Sequence, residues 1–131
     1  MKIVTFRLRQ EQYGLPVEMV TAIERVVDLR PIPLAPPQIL GLINLRGEVI
    51  TVIDMRRLLN MPEMPVTEES RLLIIDNVAY LVDAADDVRE MEEKDLEMVQ
   101  GEGQMIRGVW RDRDQLVIIL APDTLRASIT A

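Results

Sequence analysis

The sequence predicts an all-β fold, β-rich with short helices, built as two small related barrels packed together. Three observations carry that prediction. Apolar and polar residues alternate with a period of two, paired apolar runs flank compact turn signals, and no segment sustains the 3.6-residue period of a long helix. Many short strands punctuated in this way fit a barrel and not a Rossmann-like α/β sheet, whose strands alternate with long helices.

The first strand is Val4, Phe6 and Leu8 alternating with Thr5, Arg7 and Arg9, as on a strand with one buried face. Tyr13-Gly14-Leu15-Pro16 reads as the return of a short hairpin. Pro16 before Val17-Glu18-Met19-Val20 suits a brief helix, because a proline in the first turn loses no intrahelical amide bond. A further strand runs through Ile23, Val26 and Val27. Pro31, Pro33, Pro36 and Pro37 then fix φ and withhold backbone donors, which predicts a rigid extended connector. Pro33-Leu34-Ala35-Pro36 has the spacing of a polyproline ligand, but its place inside the folded span favours the connector.

Two apolar runs follow, Leu42 to Leu45 and Val49 to Ile53, separated by Arg46-Gly47-Glu48. Gly47 supplies the positive φ of a tight turn, so this is the clearest hairpin in the chain. The second run barely alternates and reads as a strand buried on both faces. Asp54 is placed to cap a helical turn over Met55-Arg56-Arg57-Leu58-Leu59, and Asp54 and Arg56 read as structural residues. From Met61 to Ser70 the chain is polar and carries Pro62 and Pro65, the composition of a linker between two halves. The organisation expected is one domain over 1–131, with one subdomain core at 14–60, a second at 70–120, and termini that cross between lobes.

In the second half, Arg71 to Ile75 and Val78 to Val82 flank Asp76-Asn77, and Met105 to Arg111 and Gln115 to Leu120 flank Asp112-Arg113-Asp114. Both pairs read as hairpins. Pro122 and Asp123 open a last short helix. An internal echo links the halves: strand, charged turn, longer strand and short helix recur at Leu42 to Leu59 and at Ile106 to Leu125.

Composition excludes more than it assigns. A chain of 131 residues is long enough to bury roughly 65–70% of its unfolded surface. Its 48% hydrophobic and 28% charged residues are those of a folded globular protein. No apolar run approaches the ~20 residues of a membrane helix and the start lacks a signal-peptide core, so a cytoplasmic location is the default. The absence of cysteine removes disulfides and thiolate metal sites, and the absence of histidine removes Ser-His-Asp triads and imidazole ligands. A net charge of −7 argues against nucleic acid as a partner. Lys2 and Lys94 are the only lysines, and the many arginines suit protein contacts, although codon bias explains them equally well. Gly101-Glu102-Gly103 continues into Gln104-Met105-Ile106, which is neither a dinucleotide fingerprint nor a Walker loop. Asp83, Asp86, Asp87 and Glu90 leave a carboxylate-dependent hydrolase or a divalent-ion site as a remote alternative to the simpler reading, a solvated acidic face. No cofactor, metal or catalytic residue is expected.

Gly41-Leu42-Ile43-Asn44-Leu45-Arg46-Gly47, followed at fixed spacing by Val52-Ile53-Asp54-Met55-Arg56, resembles the strongest stretch of the CheW-like domains. Tyr13-Gly14-Leu15-Pro16-Val17, the prolines before Gly41, Val82-Asp83, and Gly108 ahead of Leu116 to Leu120 match more loosely, so the resemblance covers nearly the whole chain. It implies two packed five-stranded SH3-like barrels and a non-catalytic adaptor that couples the cytoplasmic tips of chemoreceptors to the regulatory domain of the CheA histidine kinase, recruited to membrane receptor arrays through these partners. The start at Met1 favours a stand-alone adaptor over a CheW-like regulatory domain of a kinase, and a CheV-type protein would need a receiver domain joined beyond Ala131. A diverged scaffold of another two-component pathway stays open.

By position, the resemblance places a receptor-facing groove at Val20, Ile23 and Arg46, with Glu24 and Gly47 beside them. Each has a bland counterpart: Arg46 satisfying carbonyls of its own turn, Val20 and Ile23 as plain core. The chain also departs from the family. Ala22 stands where an acid is common, with Glu24 on the other side of Ile23. The second half is short, Ala79-Tyr80 replaces a glycine, and Ala121-Pro122 interrupts the approach to the last helix, so kinase contacts there are the least supported.

Overall fold

The computed structural model describes residues 1–99 and 105–125; the Gly101-Glu102-Gly103 segment lies outside them, and of the last helix residues 122–125 are described. The chain runs through β1 (Lys2–Leu8), β2 (Glu11–Pro16), β3 (Ala22–Arg25), β4 (Ile39–Leu45), β5 (Glu48–Asp54), α1 (Met55–Leu58), β6 (Arg71–Ile75), β7 (Val78–Val82), β8 (Ala84–Glu90), β9 (Leu96–Met98), β10 (Ile106–Asp112) and β11 (Gln115–Leu120). Short 3₁₀ turns occupy Val17–Met19 and Glu93–Asp95. The fold is all-β, as the alternation and turn chemistry predict, and it divides into two units: Met1–Glu18 with Asp86–Ala131, and Met19–Ala85.

The first unit holds a sheet in the order β8-β1-β2-β11-β10-β9. β1 and β2 form the expected hairpin, which sets Phe6 opposite Tyr13 and stacks their rings at 6.1 Å. β11 joins β2 in parallel, and β10 pairs with β11 as the hairpin signal indicated. Ile3, Met91, Trp110, Val117 and Ile119 form a core in this unit.

The second unit holds a sheet in the order β3-β6-β7-β5-β4. Asp76 and Asn77 both adopt positive φ, the twist a two-residue hairpin needs between β6 and β7. Ile43, Ile50, Val52, Leu72, Ile74, Ala79 and Leu81 pack as its core. On the other face of the same strands Ile53, Leu73, Ile75 and Tyr80 are also buried, which is why β5, β6 and β7 read as continuous apolar runs. Beyond β3 the chain returns to the opposite edge: the Arg30 N–H donates to the Leu42 carbonyl at 2.9 Å and the Leu42 N–H to the Arg30 carbonyl at 2.8 Å. Gly41 permits that approach, since a Cβ there would sit 2.1 Å from the Arg30 carbonyl oxygen.

Four expectations need correction. The proposed cores at 14–60 and 70–120 do not match the sheets, because β6 and β7 stay with β3, β4 and β5 through a parallel pairing of β7 on β5. The polar stretch 61–70 is therefore a loop inside one unit, not a linker between halves. The first unit's sheet has six strands where five were expected, because β8 hides among charged residues. The strand through Ile23 also ends at Arg25: Val26 and Val27 lie beyond it, and Asp28 turns the chain with φ of 52°.

Candidate partner-binding site

The β4–β5 hairpin ends in a two-residue turn at Arg46 (φ 51°) and Gly47 (φ 86°). Two successive positive φ angles give the turn twist that matches antiparallel strands, and Gly47 takes the second at no steric cost. Arg46 takes the first despite its Cβ, held by Asn44, whose side-chain oxygen accepts the Gly47 N–H at 3.0 Å. The last three residues of the Gly-Leu-Ile-Asn-Leu-Arg-Gly stretch and Asn44 thus work as one device that presents an arginine.

That arginine is 74% exposed and its Nη2 lies 2.9 Å from Oε1 of Glu24 on β3. Glu24 is only 22% exposed and anchors the pair. Arg46 therefore reaches a carboxylate on another strand and is not consumed by its own turn. Ala22 and Glu24 share a face of β3, because side chains alternate along a strand. Glu24 thus stands on the same face as Ala22, about 7 Å further along.

Ile23 points to the opposite face of β3, in register with Leu73 of β6, and stays 43% exposed. Plain core does not describe it. Val20 is half-buried between the 3₁₀ turn and β3, and the adjoining Thr21 hydroxyl donates to the Ile74 carbonyl at 3.1 Å, fixing the entry to the strand. The structure joins Glu24, Arg46 and Gly47 at one end of the barrel and sets Ile23 on the other face of the same strand.

Arg56 is the contrasting arginine, 2% exposed at α1. Its Nε donates to Oδ1 of Asp83 at 2.6 Å, its Nη2 contacts the same oxygen, and its Nη1 donates to the Met64 carbonyl at 3.2 Å. Asp54 caps α1 by accepting the Arg56 N–H at 3.1 Å, while its other oxygen is buried without a hydrogen-bond partner. Burial pushes the Asp54 carboxyl up, against the opposing pull of the Arg56 N–H and guanidinium. The cluster ties the ends of β5 and β7 to the 61–70 loop. Both residues are structural, as their positions indicated.

The acidic run is no hydrolase site and not a uniformly solvated face. Asp83 turns to Arg56, Asp86 to Arg7 and Gln12, Asp87 to Thr5 and Arg89, and Glu90 to the N-terminal ammonium. The Thr5 hydroxyl bond, with Arg89 in support, holds the Asp87 carboxyl below its ordinary value. Among the described residues no three such side chains group to hold a metal ion. Sequence reasoning missed these pairings because β8 lacks the alternation that marks a strand. It also missed Arg25 and Arg71, which face each other across β3 and β6; two arginines far apart in sequence carry no local signal of that register.

Comparison with known proteins agrees with the fold. A family model described as the CheW-like domain matches residues 2–129. The protein named chemotaxis protein CheW of Bacillus subtilis (strain 168) is 36% identical over 117 residues, covering 86% of this chain and 71% of that one. Its namesake in Treponema pallidum (strain Nichols) is 30% identical over 135 residues, 91% of this chain and 78% of that protein. The crystal structure of the scaffolding protein TtCheW from Thermoanaerobacter tengcongensis superposes with a TM-score of 0.84 at 30% identity, over 92% of this chain and 83% of that one.

Proposed function

The chain belongs to the CheW-like domain family and is a non-catalytic scaffold of chemotaxis-type signal transduction, and from that premise we infer that it couples a chemoreceptor's cytoplasmic tip to the regulatory domain of a CheA-type histidine kinase. The two units act in this as one CheW-like domain. No helix among the described residues is long and apolar enough to cross a membrane, and in this reading the adaptor works in the cytoplasm and reaches receptor arrays through its partners.

One observation supports the site most: Arg46 stands exposed on a strained turn, braced by Asn44 and aimed by Glu24. A guanidinium presented in this way binds carboxylates and carbonyls of a partner with paired hydrogen bonds. Ile23 and Val20 supply apolar surface on the approach to β3, and Gly47 keeps the turn free of a side chain that would crowd the partner.

Co-elution with a receptor-tip fragment and the kinase regulatory domain tests the reading. The wild-type chain forms a ternary complex, and a folded Arg46→Glu variant loses the receptor fragment. Normal assembly by that variant would remove Arg46 from the site, and failure of the wild type to bind either partner would defeat the coupling role.

A further inference from the structure

Arg25 and Arg71 stand directly opposite one another where β3 pairs with β6. Cross-strand partners share a face, so two guanidinium stems rise side by side, an arrangement of like charges that destabilises a sheet. The chain has 22 acids against 15 basic residues with which to relieve it. Other arginines use that supply: Arg7 meets Asp86, Arg46 meets Glu24, Arg56 meets Asp83, Arg57 meets Glu63 and Arg89 meets Asp112. Neither Arg25 nor Arg71 has a carboxylate partner among the described residues.

Arg71 is braced from behind instead. Its Nη1 donates to the carbonyls of Glu68 and Ser70, each at 2.8 Å, which leaves the Nε and Nη2 edge of the fork uncommitted. The turn that braces it is itself fixed, the Thr67 N–H donating to the Ser70 hydroxyl at 2.9 Å and the Glu69 N–H to the Thr67 hydroxyl at 3.2 Å. Both arginines line an open pocket with Val26, Thr67, Glu68 and Ser70. Ile23 lies two residues before Arg25 on the same face of β3, about 7 Å along the strand.

We propose that Arg25 and Arg71 form a carboxylate clamp that takes an acidic side chain of a protein partner, next to the apolar contact at Ile23. A flat single charge fits the free edge of the Arg71 fork, with Arg25 as the second cation. The inference rests on the adaptor reading for its partners and adds the charge that one of them carries at this position.

Isothermal titration of the full chain with the receptor-tip fragment, and separately with the kinase regulatory domain, tests the clamp. Arg25→Glu and Arg71→Glu each weaken binding of one partner by about tenfold or more. The double variant is weaker by less than the product of the single losses, because both arginines serve one carboxylate. Arg25→Lys, which keeps the charge without the fork, loses less than Arg25→Glu. A glutamate-to-arginine change on that partner restores affinity to the reversed chain. Circular dichroism of Arg71→Glu checks that β6 still folds, and Arg25→Glu, on the exposed edge strand, gives the independent reading. Unchanged affinity of folded Arg25→Glu for both partners overturns the clamp while leaving the adaptor reading intact; a wild type that binds neither partner overturns both. If inorganic phosphate shifts the NMR signals of the Arg25 and Arg71 Nε–H groups at micromolar concentration and displaces neither partner, the pocket is a small-anion site and the protein clamp falls.

Discussion

The two ends of the β4–β5 hairpin use the same chemistry for opposite purposes. At the turn, Arg46 faces Glu24 at 2.9 Å in the open, where screening and side-chain entropy leave such a pair worth about 0–1 kcal/mol. At the base, Asp54 leads into α1 and Arg56 sinks between Asp54 and Asp83, where an unpaired charge cannot be hydrated. Exposure therefore decides what an arginine–carboxylate pair is for. The buried one holds strands and a loop in place; the exposed one orients a side chain that remains free to exchange its partner.

The largest effect expected is at the base. Arg56→Met removes the guanidinium that Asp54 and Asp83 face at the ends of β5 and β7 and frees the 61–70 loop from its anchor at the Met64 carbonyl. It should lower folding stability by about 3–5 kcal/mol, read as a fall in the urea midpoint. A loss below about 1 kcal/mol would place Arg56 with Arg46 and erase the distinction. Next is Gly41→Ala, near the same end. Its new methyl would fall on the Arg30 carbonyl, a backbone atom that moves only if the bridge between Arg30 and Leu42 opens. A cost of about 1–3 kcal/mol is expected, with faster amide exchange at Leu42. Slow exchange and full stability would show that the closure of this barrel does not depend on the glycine.

At the exposed end the order of effects reverses. Arg46→Glu should shift folding stability by no more than about 1 kcal/mol. Its binding to the receptor-tip fragment should fall by about 2 kcal/mol, roughly thirtyfold. Equal losses in folding and in binding would make the turn a structural element like the base.

The hairpin itself was legible because its signals are local: Gly47 for the turn, the apolar runs Leu42 to Leu45 and Val49 to Ile53 on either side of it, Asp54 ahead of Met55 for the cap. Asp76-Asn77 marked the β6–β7 hairpin in the same way. What the residues did not reveal is which sheet each hairpin joins. β7 reaches β5 and β11 reaches β2 by parallel pairings between distant segments, and every apolar strand offers a similar edge to them. Hence the segment 61–70, polar and proline-bearing, passed for a linker although it loops within one unit. The site was half legible for the same reason. Arg46 and Gly47 are a local turn, whereas the Glu24 partner, the Asp83 partner of Arg56 and the Arg25–Arg71 register all depend on strands meeting across the fold.

The smallest effect separates the two ends by pH. Asp54 has its folded carboxyl pushed above the ordinary value by burial, so the folded chain holds its proton at pH values where the unfolded chain has released it. In that window the folded state binds more protons, and stability falls as pH rises through the unfolded and then the folded pKa. Asp54→Asn keeps an oxygen for the Arg56 N–H and removes the titration. The stability of wild type relative to Asp54→Asn should therefore decline as pH rises past the ordinary carboxylate value and level off once the folded carboxyl has ionised. Asp87, whose carboxyl is lowered by Thr5 and Arg89, drives stability the other way, upward with pH, but it is present in both proteins and cancels in the difference. Parallel curves would mean that Arg56 offsets the burial of Asp54 completely, and the base of the hairpin would then be electrostatically as neutral as its exposed turn.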